Sequence, residues 1–458
     1  MTISKSGLVA VLVSLTLLSP PAYGADRELT VVSRNLYLGA DVGVALDLIP
    51  DLSAAAQFMW DQVAATDFTK RAPVLAQEII DADADVVGLQ EATHWYCKKN
   101  AWSSRVIVYD FVQEFLAATK AAGNEYVLVE KDGVQAFNIG YSIPAIPFFT
   151  IVNDSKTFQP IFGSDSAACG FEIGDALVVK KDLASSILNV GNTEYEVSYS
   201  IIPKTMIIYR GYTWADLHID GSNVRIVSTH LESLWDENAV PHSALQAQQL
   251  VADLTSTTMP LIVMGDFNAD PRDPRPTTDS NPGGQPVANE NCPAQVAKPT
   301  IDTAKTACNA YWTLRKAGFT DVGPDAQDPR NYSWGMSALL QGPDPVRLKA
   351  AQAMGNQFGF TDRLDYIFIK NGISVISSRM IGNTYPEGST WQCGEKKCND
   401  TDHAGVVATV SMPESVVIDQ TLPEHAPFPI SFWNWVGIGL SAGIIGLIIR
   451  RKRKKVHE

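Results

Sequence analysis

The chain has 458 residues, of which 45% are hydrophobic and 19% are charged, and its formal net charge is −14. This composition is typical of a globular protein with a large core, and it excludes a disordered or low-complexity chain. The excess of acidic residues argues against a broad basic surface that would wrap nucleic acid. It leaves room for a local basic cleft or for a bound metal ion.

Both ends of the chain carry segments that predict export and attachment to a membrane. Residues 1–25 combine a positive start at Lys5, an apolar middle and small residues at the end, which is the pattern of a signal peptide. Residues 430–449 are uncharged and mostly apolar, and a helix of that length spans about 30 Å, the thickness of a bilayer core. The basic tail 450–458 follows, so the positive-inside rule places it in the cytoplasm and the large domain at the cell surface. A sorting signal that is later removed would have the same pattern, so retention of the tail stays open.

The six cysteines are an even number, which suggests disulfide bonds in an exported protein. Proximity along the chain favours Cys393–Cys398 and Cys292–Cys308, which leaves Cys97–Cys169, but the connectivity stays open. A zinc site is the alternative, and the lack of paired C-x-x-C spacings argues against it.

Hydrophobic periodicity in the first half of the chain predicts strands alternating with helices. Pro50 interrupts one of these helices. The segment 138–170 contains three prolines and is predicted as an irregular insertion at the surface. The predicted elements are strands at 29–35, 85–91 and 126–130 and helices at 43–64, 71–81 and 105–120.

The second half of the chain begins with closely spaced strands, much of whose sequence alternates as antiparallel strands do. The segment 270–300 is rich in proline and glycine and is predicted as a long loop, and a third insertion is expected near 330–360. Residues 413–429 are predicted as a linker to the membrane. The predicted elements are strands at 174–180, 195–209, 213–219, 223–230, 261–264, 363–369, 373–381 and 405–410 and helices at 241–254, 304–317 and 345–355.

These elements predict a single domain over 26–412 of the α/β class, α+β type. A four-layer sandwich of two mixed β-sheets flanked by helices fits better than a doubly wound sheet. No glycine-rich phosphate loop follows the first strand, as a dinucleotide-binding fold would require.

Polar side chains recur where the predicted strands end. The strand 261–264 is followed by Gly265, Asp266 and Asn268, and alternate residues of an extended chain face the same way. A carboxylate and an amide at one spot suit a hard cation or a phosphate group. An Asx turn that merely closes the strand is the simpler alternative. Similar residues stand at or near five other strand ends: Asn35, Glu91, His230, Asp365 and the pair Asp402-His403.

The order of these motifs resembles the endonuclease/exonuclease/phosphatase superfamily, over about residues 29–411. The motifs in order are Asn, Gln-Glu, Thr-His-Leu, Gly-Asp-Phe-Asn, Arg-Leu-Asp-Tyr-Ile and Asp-His. The superfamily includes pancreatic-type deoxyribonucleases, abasic-site endonucleases, neutral sphingomyelinases and inositol polyphosphate phosphatases. The resemblance implies the four-layer sandwich and a divalent metal ion, Mg²⁺ first, with Mn²⁺ or Ca²⁺ as alternatives.

The resemblance also implies a role for each polar residue. The metal ligands are expected to be Glu91, with Asn35 beside it, and Asp402. His403 resembles the catalytic histidine, and Asp365 resembles the buried acid that orients it. Asp266 and Asn268 resemble the pair that holds the attacking water and the substrate phosphate, and His230 resembles a second histidine of the deoxyribonuclease and sphingomyelinase branches. That histidine has an acidic partner in deoxyribonucleases, for which Glu172 and Asp175 are the candidates here.

Three functions stay open on the sequence. The first is a surface-bound phosphodiesterase whose substrate is a phosphate ester such as nucleic acid, the second is a sphingomyelinase-like hydrolase of phospholipid head groups, and the third is a non-catalytic surface protein with the same fold. A nuclease predicts a basic groove, with Arg105, Lys180 or Arg210 as candidates. A phospholipid enzyme predicts an exposed apolar hairpin, for which residues 145–149 are the candidate. No protein partner is predicted.

Overall fold

The computed structural model describes residues 28–98, 104–147, 168–202, 206–234, 241–273, 289–292, 307–343 and 345–423. The predicted signal peptide, the predicted membrane span 430–449 and the basic tail lie outside these residues. Within the described ranges no helix is long and apolar enough to cross a membrane.

Helices and strands are interspersed up to residue 121, and closely spaced strands then follow from residue 126 to residue 230, in broad agreement with the predicted pattern. The helices are α1 (Val42–Asp47), α2 (Leu52–Thr66), α3 (Phe68–Asp81), α4 (Phe111–Ala121), α5 (His242–Asp253), α6 (Ala310–Lys316) and α7 (Pro345–Met354). The strands are β1 (Glu28–Asn35), β2 (Val86–Lys98), β3 (Val106–Asp110), β4 (Tyr126–Leu128), β5 (Glu130–Lys131), β6 (Val134–Gln135), β7 (Phe137–Pro147), β8 (Ala168–Lys180), β9 (Ile187–Glu194), β10 (Tyr199–Ile202), β11 (Met206–Ile208), β12 (Gly211–Ile219), β13 (Ser222–His230), β14 (Leu261–Asp266), β15 (Thr320–Asp321), β16 (Asp365–Lys370), β17 (Ser374–Ile381), β18 (Thr390–Cys393), β19 (Lys396–Asn399) and β20 (Gly405–Ser411).

Two large sheets form the centre of the domain. The first has the order β17-β20-β1-β2-β8-β4, and β3 and β7 pair with β2 and β8. The second has the order β15-β16-β14-β13-β12-β9. Each sheet contains one parallel pair, β1 with β2 and β13 with β14, among antiparallel neighbours. Both sheets are therefore mixed, as predicted.

Apolar side chains fill the spaces between the layers. Val31, Val86, Ile226 and Ile262 belong to a buried cluster between the two sheets. Helices α2, α3 and α4 pack on the outer side of the first sheet, and α5 and α6 pack on the outer side of the second. The predicted mixed α/β sandwich is confirmed, because each amphipathic helix buries its apolar face against a sheet.

Several elements differ from the sequence prediction, among them β9, which was not predicted, and the strand predicted at 195–209, which is the pair β10 and β11. Residues 105–120, which were predicted as one helix, form the strand β3 followed by the helix α4. Asp110 caps the N-terminus of α4, because its side chain accepts a hydrogen bond from Gln113 N. Part of the predicted insertion 138–170 is the regular strand β7. Among the described strands β7 pairs with β8 alone, and its register shifts twice. Prolines are tolerated at sheet edges and bulges, so Pro144 does not prevent strand formation.

All three disulfide pairings favoured by proximity are confirmed. Cys97–Cys169 joins directly opposed residues of β2 and β8. Cys393–Cys398 closes the hairpin of β18 and β19, and Cys292–Cys308 joins two segments of the 270–310 region.

The described part of the predicted linker, residues 413–423, packs along the second sheet. Asn223 N donates to Ser415 O at 2.6 Å, and Arg225 Nη2 donates to Gln420 O at 2.9 Å. The carboxylate of Asp419 accepts hydrogen bonds from the loop before β14, and Leu422 is buried in the outer core. Residues 413–423 are thus part of the folded domain.

Candidate active site

Polar residues of both sheets meet where their central strands end. In the second sheet His230 is paired with Asp266, and Asp266 is paired with Asp365, so three side chains stand in one row across β13, β14 and β16. Asn35 reaches this row from β1, because its Nδ2 donates to Asp266 Oδ2 at 3.1 Å. The ends of the strands border a cleft of about 480 Å³.

The turn after β14 places Asp266 and Asn268 in the cleft. A Cβ atom at Gly265 would collide with the carbonyl of Thr229, so only glycine fits there. The backbone of Asn268 is left-handed, with φ 46°, and its N–H donates to Asp266 Oδ1 at 2.9 Å. The two residues therefore share the cleft because of an Asx-type turn and not because of strand alternation.

Glu91 lies in a bulge of β2. The register of β2 with β8 shifts between Leu89 and Ala92, and Glu91 has a left-handed φ of 53°. A bulge turns a side chain out of its usual direction, and non-glycine residues in this conformation cluster at functional sites. Glu91 Oε2 accepts a hydrogen bond from Leu38 N at 2.5 Å, and the side chain lines the cleft with Asp402.

His403 and Asp365 form a buried pair. His403 Nδ1 lies 2.8 Å from Asp365 Oδ2, and its other ring nitrogen, Nε2, lies 3.6 Å from Asp266 Oδ2. Burial alone would lower the pKa of His403. The nearby carboxylates, Asp365 first and then Asp266 and Asp402, outweigh burial and raise that pKa well above its ordinary value. His403 is therefore an imidazolium whose free nitrogen faces the cleft.

Two carboxyl groups of the cleft, those of Asp266 and Asp402, have pKa values close to neutral pH. Burial, with the charges of Asp365 and Glu91, raises the pKa of Asp266 to about 7 despite the opposing effect of His403. Burial and the charge of Glu91 raise the pKa of Asp402 to about 6. A carboxylate with a pKa near the working pH is suited to exchange protons with a reactant.

His230 has a different environment from the one that the sequence predicts. Arg210 Nη1 lies 2.9 Å from His230 Nδ1. Burial and then the charge of Arg210 lower the pKa of His230 well below its ordinary value. Glu172 pairs with Arg105, and Asp175 interacts with the backbone N–H of His230 rather than with its ring. The expected acidic partner is thus replaced by a guanidinium group.

A model of the Endonuclease/Exonuclease/phosphatase family matches residues 64–384. The chain belongs to this family. Enzymes of the family hydrolyse phosphate esters or nucleic acids, so the chain is assigned as a phosphoric ester hydrolase. No curated protein matched the chain.

Several solved structures are similar to this member of the endonuclease/exonuclease/phosphatase family. A family protein from Bacteroides thetaiotaomicron has 15% identity and a TM-score of 0.43, covering 85% of this chain and 99% of its own. A mannosyl-6-phosphatase from the same organism has 17% identity and a TM-score of 0.40, covering 84% and 100%. A humanised D. rerio TDP2 has 14% identity and a TM-score of 0.41, covering 84% and 100%.

Enzymes of the endonuclease/exonuclease/phosphatase family typically depend on a divalent metal, and the residues of the cleft fit such an ion. Donor atoms of Asp266, Asp365 and His403 lie within 4.8 Å of one another. Because His403 Nδ1 is already paired with Asp365, this trio is better suited to proton transfer than to metal binding. Glu91 and Asp402 remain as hard anionic donors on the same cleft, which suits Mg²⁺.

The sequence prediction missed one wall of the cleft, which comes from the insertion near 330–360. Trp334 Nε1 donates to Asp402 Oδ2 at 3.3 Å, and the guanidinium of Arg347 lies 4.2 Å from the centre of the Trp334 ring. Both residues line the cleft. No sequence motif marks Trp334 or Arg347, because their positions depend on how the insertion folds back over His403. The backbones of Trp334 and His403 form an isolated β-bridge there.

Of the three basic residues predicted for a groove, Arg210 alone lines the cleft. Arg105 is paired with Glu172 at 2.5 Å. Lys180, the last residue of β8, is paired with Asp83 and Asp85 and does not line the cleft. Leu38, Val42, Ile173, Ile208 and Leu234 form an apolar side of the cleft.

Proposed function

We propose that this protein is an exported, membrane-tethered, Mg²⁺-dependent phosphodiesterase. The observation that carries the proposal is the chain of contacts Asp365–His403–Asp266, because His403 and Asp266 line the same cleft as Glu91 and Asp402. An imidazolium, a carboxylate that titrates near neutral pH and a pair of hard anionic ligands are the groups that hydrolysis of a phosphate ester requires.

Glu91, Asp402 and Asn35 are the proposed metal ligands. Asn35 Oδ1 accepts from Tyr37 N at 2.8 Å, which orients the amide, and an amide oxygen has a second lone pair to offer. A bound Mg²⁺ would offset the negative charge that accumulates on the phosphorus centre.

The remaining residues have proposed roles in binding and proton transfer. Asp266 accepts the proton of the attacking water, and the Nδ2 of Asn268 binds a phosphate oxygen without adding negative charge. The Nε2 proton of His403 stabilises the charge that develops on the phosphorane, and Asp365 holds the ring in place. His230 is a neutral second donor, and its Nε2 lies 3.5 Å from Asp266 Oδ2.

Two variants test the assignment of the site. His403→Ala and Asp266→Ala should each lower Mg²⁺-dependent hydrolysis of a chromogenic phosphodiester by about 10²–10⁴-fold. His218→Ala and Asp182→Ala are matched controls, because both side chains are exposed and neither lines the cleft. Circular dichroism should show that each inactive variant keeps the native fold. Wild-type activity in both site variants would contradict the assignment.

Metal dependence is tested separately. Activity of the purified domain should be lost in EDTA and return with Mg²⁺, and an enzyme indifferent to the chelator would contradict the proposal. Cleavage at the signal peptide and the position of the tail can be read from N-terminal sequencing and protease accessibility on whole cells. A soluble protein with an intact N-terminus would exclude the predicted export.

The surroundings of the cleft favour a lipid head group over a nucleic acid as the substrate. Binding along a polynucleotide requires a groove of unpaired basic residues. Among the described residues of the cleft wall the arginine and lysine residues are Arg210 and Arg347, and both contact acidic side chains. A panel of plasmid DNA, RNA, sphingomyelin and a soluble phosphomonoester, each with Mg²⁺, distinguishes these substrates.

A further inference from the structure

A second pocket lies beside the cleft, between the helices α1 and α2 and the strands β2, β7 and β8. None of the side chains that line it is charged. Leu46, Leu52, Ala55, Met59, Trp95 and Phe171 form most of its wall. The indole N–H of Trp95 is already bound to Leu38 O at 2.9 Å. A polar group that entered this pocket would lose its hydration without finding a partner on these side chains.

The pocket adjoins the cleft. Val42, at the start of α1, lines both spaces. On β8, Phe171 lines the pocket and Ile173 lines the cleft. Residues two apart on a strand face the same side and are about 7 Å apart, so these two apolar side chains follow one another from the cleft to the pocket.

Helix α1, which covers the pocket, is an exposed apolar element. Ala45 is the one residue of α1 that is buried, whereas Val44 is 44% exposed and Leu48, which caps the helix, is 36% exposed. Val44 and Leu48 therefore add exposed apolar area next to the pocket.

We propose that this pocket binds a hydrocarbon chain of the substrate, so that the substrate class is a phospholipid-type phosphate ester. The proposal rests on the proposed phosphodiesterase function and names the substrate for it. The phosphate would lie against His403, Asp266 and Glu91 while the chain follows Ile173 and Phe171 into the pocket. A nucleic acid has no hydrocarbon chain to place there, and the shared lining residue Val42 puts the pocket next to the cleft in which the ester would react.

A series of p-nitrophenyl alkyl phosphodiesters with ethyl, butyl and hexyl groups tests the proposal with the full chain and Mg²⁺. Each methylene that enters an apolar pocket strengthens binding by up to about fourfold, so kcat/KM should rise at least about tenfold from the ethyl to the hexyl ester. Ala55→Phe, which fills the pocket, and Leu46→Asn, which makes its partly exposed wall polar, should bring the hexyl-to-ethyl ratio close to one. Their rates on the ethyl ester should stay within about twofold of the wild-type rate, because neither residue lines the cleft.

Ile376→Asn is the control for introducing a polar side chain, since Ile376 is an exposed residue on β17 far from the pocket lining. It should leave the ratio unchanged. A wild-type ratio near one overturns the proposal, and so does a wild-type-like ratio in both pocket variants. If hexanol inhibits as strongly as hexylphosphonate, the pocket takes free hydrocarbon and the assignment to the substrate is wrong.

Calorimetric binding of hexylphosphonate and ethylphosphonate separates this proposal from the phosphodiesterase function. Absence of hydrolysis for every ester would overturn the proposed function. Tighter binding of hexylphosphonate that the Ala55→Phe variant abolishes would still support the apolar subsite. Equal affinity for the two phosphonates would overturn the subsite, whatever the enzyme hydrolyses.

Discussion

His403 and His230 border the same cleft, yet the pKa values of the two rings are shifted in opposite directions. Three carboxylates surround His403 and raise its pKa despite burial, whereas burial and the charge of Arg210 both lower the pKa of His230. Both rings are buried, so exposure to solvent does not distinguish them. The difference comes from the charged group next to Nδ1, which is a carboxylate for His403 and a guanidinium for His230.

This comparison assigns different chemistry to two residues of the same type. A guanidinium group only donates hydrogen bonds, so Nδ1 of His230 must present its lone pair to Arg210. The single proton of a neutral His230 is then at Nε2, which lies 3.5 Å from Asp266 Oδ2. His403 carries protons on both nitrogens, so it can supply positive charge where His230 supplies only a dipole.

The largest effect is expected from removing the negative charge beside His403. Asp365→Asn keeps the shape of the side chain but withdraws the charge that holds the imidazolium, so kcat should fall by about 10²–10⁴-fold. Steady-state kinetics on the chromogenic diester measures this, with Asp182→Asn as the exposed control. A decrease of less than about threefold would show that the charge state of His403 does not matter for the reaction.

A smaller effect is expected from removing the cation beside His230. In Arg210→Gln the repulsion between the guanidinium and a protonated imidazole is gone, so the pKa of His230 should move up towards its ordinary value. Proton NMR of the imidazole resonances, assigned with His230→Gln, follows the titration. We expect kcat/KM to fall about tenfold, and Arg210→Lys to retain the low pKa because it keeps the charge. An unchanged pKa in Arg210→Gln would mean that burial alone keeps His230 neutral.

The smallest effect concerns a third histidine, which has carboxylates on both sides and lies outside the cleft. His94 Nε2 lies 3.4 Å from Asp110, and His94 Nδ1 lies 3.7 Å from Glu172. Burial lowers the pKa of His94, but the carboxylates of Asp110 and Glu172 outweigh burial and raise it to about 9. Because the folded-state pKa exceeds the unfolded value of 6.5, His94 stabilises the fold fully below pH 6.5 and loses this effect as the pH rises through 9.

Urea unfolding of wild type and His94→Gln at pH 6 and pH 10 tests this prediction. The site is partly exposed, so after allowing for solvent screening we expect His94→Gln to cost about 1 kcal/mol more at pH 6 than at pH 10. The reverse order, or no dependence on pH, would contradict the ion-pair explanation. Activity should stay unchanged in either case, since His94 does not line the cleft.

Local sequence patterns were sufficient to predict most of the sandwich. Buried strands such as β14 and helices such as α5 follow from apolar periodicity, and their bounds agree within a few residues. The prediction failed at β3, where a strand and a helix adjoin without a turn signal, and at β7, where prolines stand in a strand with few partners. Such cases are decided by which neighbouring strand is available for pairing, and a local window does not contain that information.

For the candidate site, too, the sequence predicted some features and missed others. Its acids and histidines stand at strand ends, and strand order brings Asp266, His230 and Asp365 into one row. The bulge that turns Glu91 into the cleft, and the insertion that brings Trp334 over Asp402, have no counterpart in the motifs. The roles of these residues in catalysis stay predictions for the variants above.

The sequence by itself determined the family, the succession of strands and the polar residues at their ends, because periodicity and short motifs depend on neighbours along the chain. The tertiary structure alone decided that Arg210 and not an acid adjoins His230, and that an apolar pocket opens beside the cleft. The charge of a buried histidine and the shape of a pocket depend on segments that are far apart in the chain and meet only after folding.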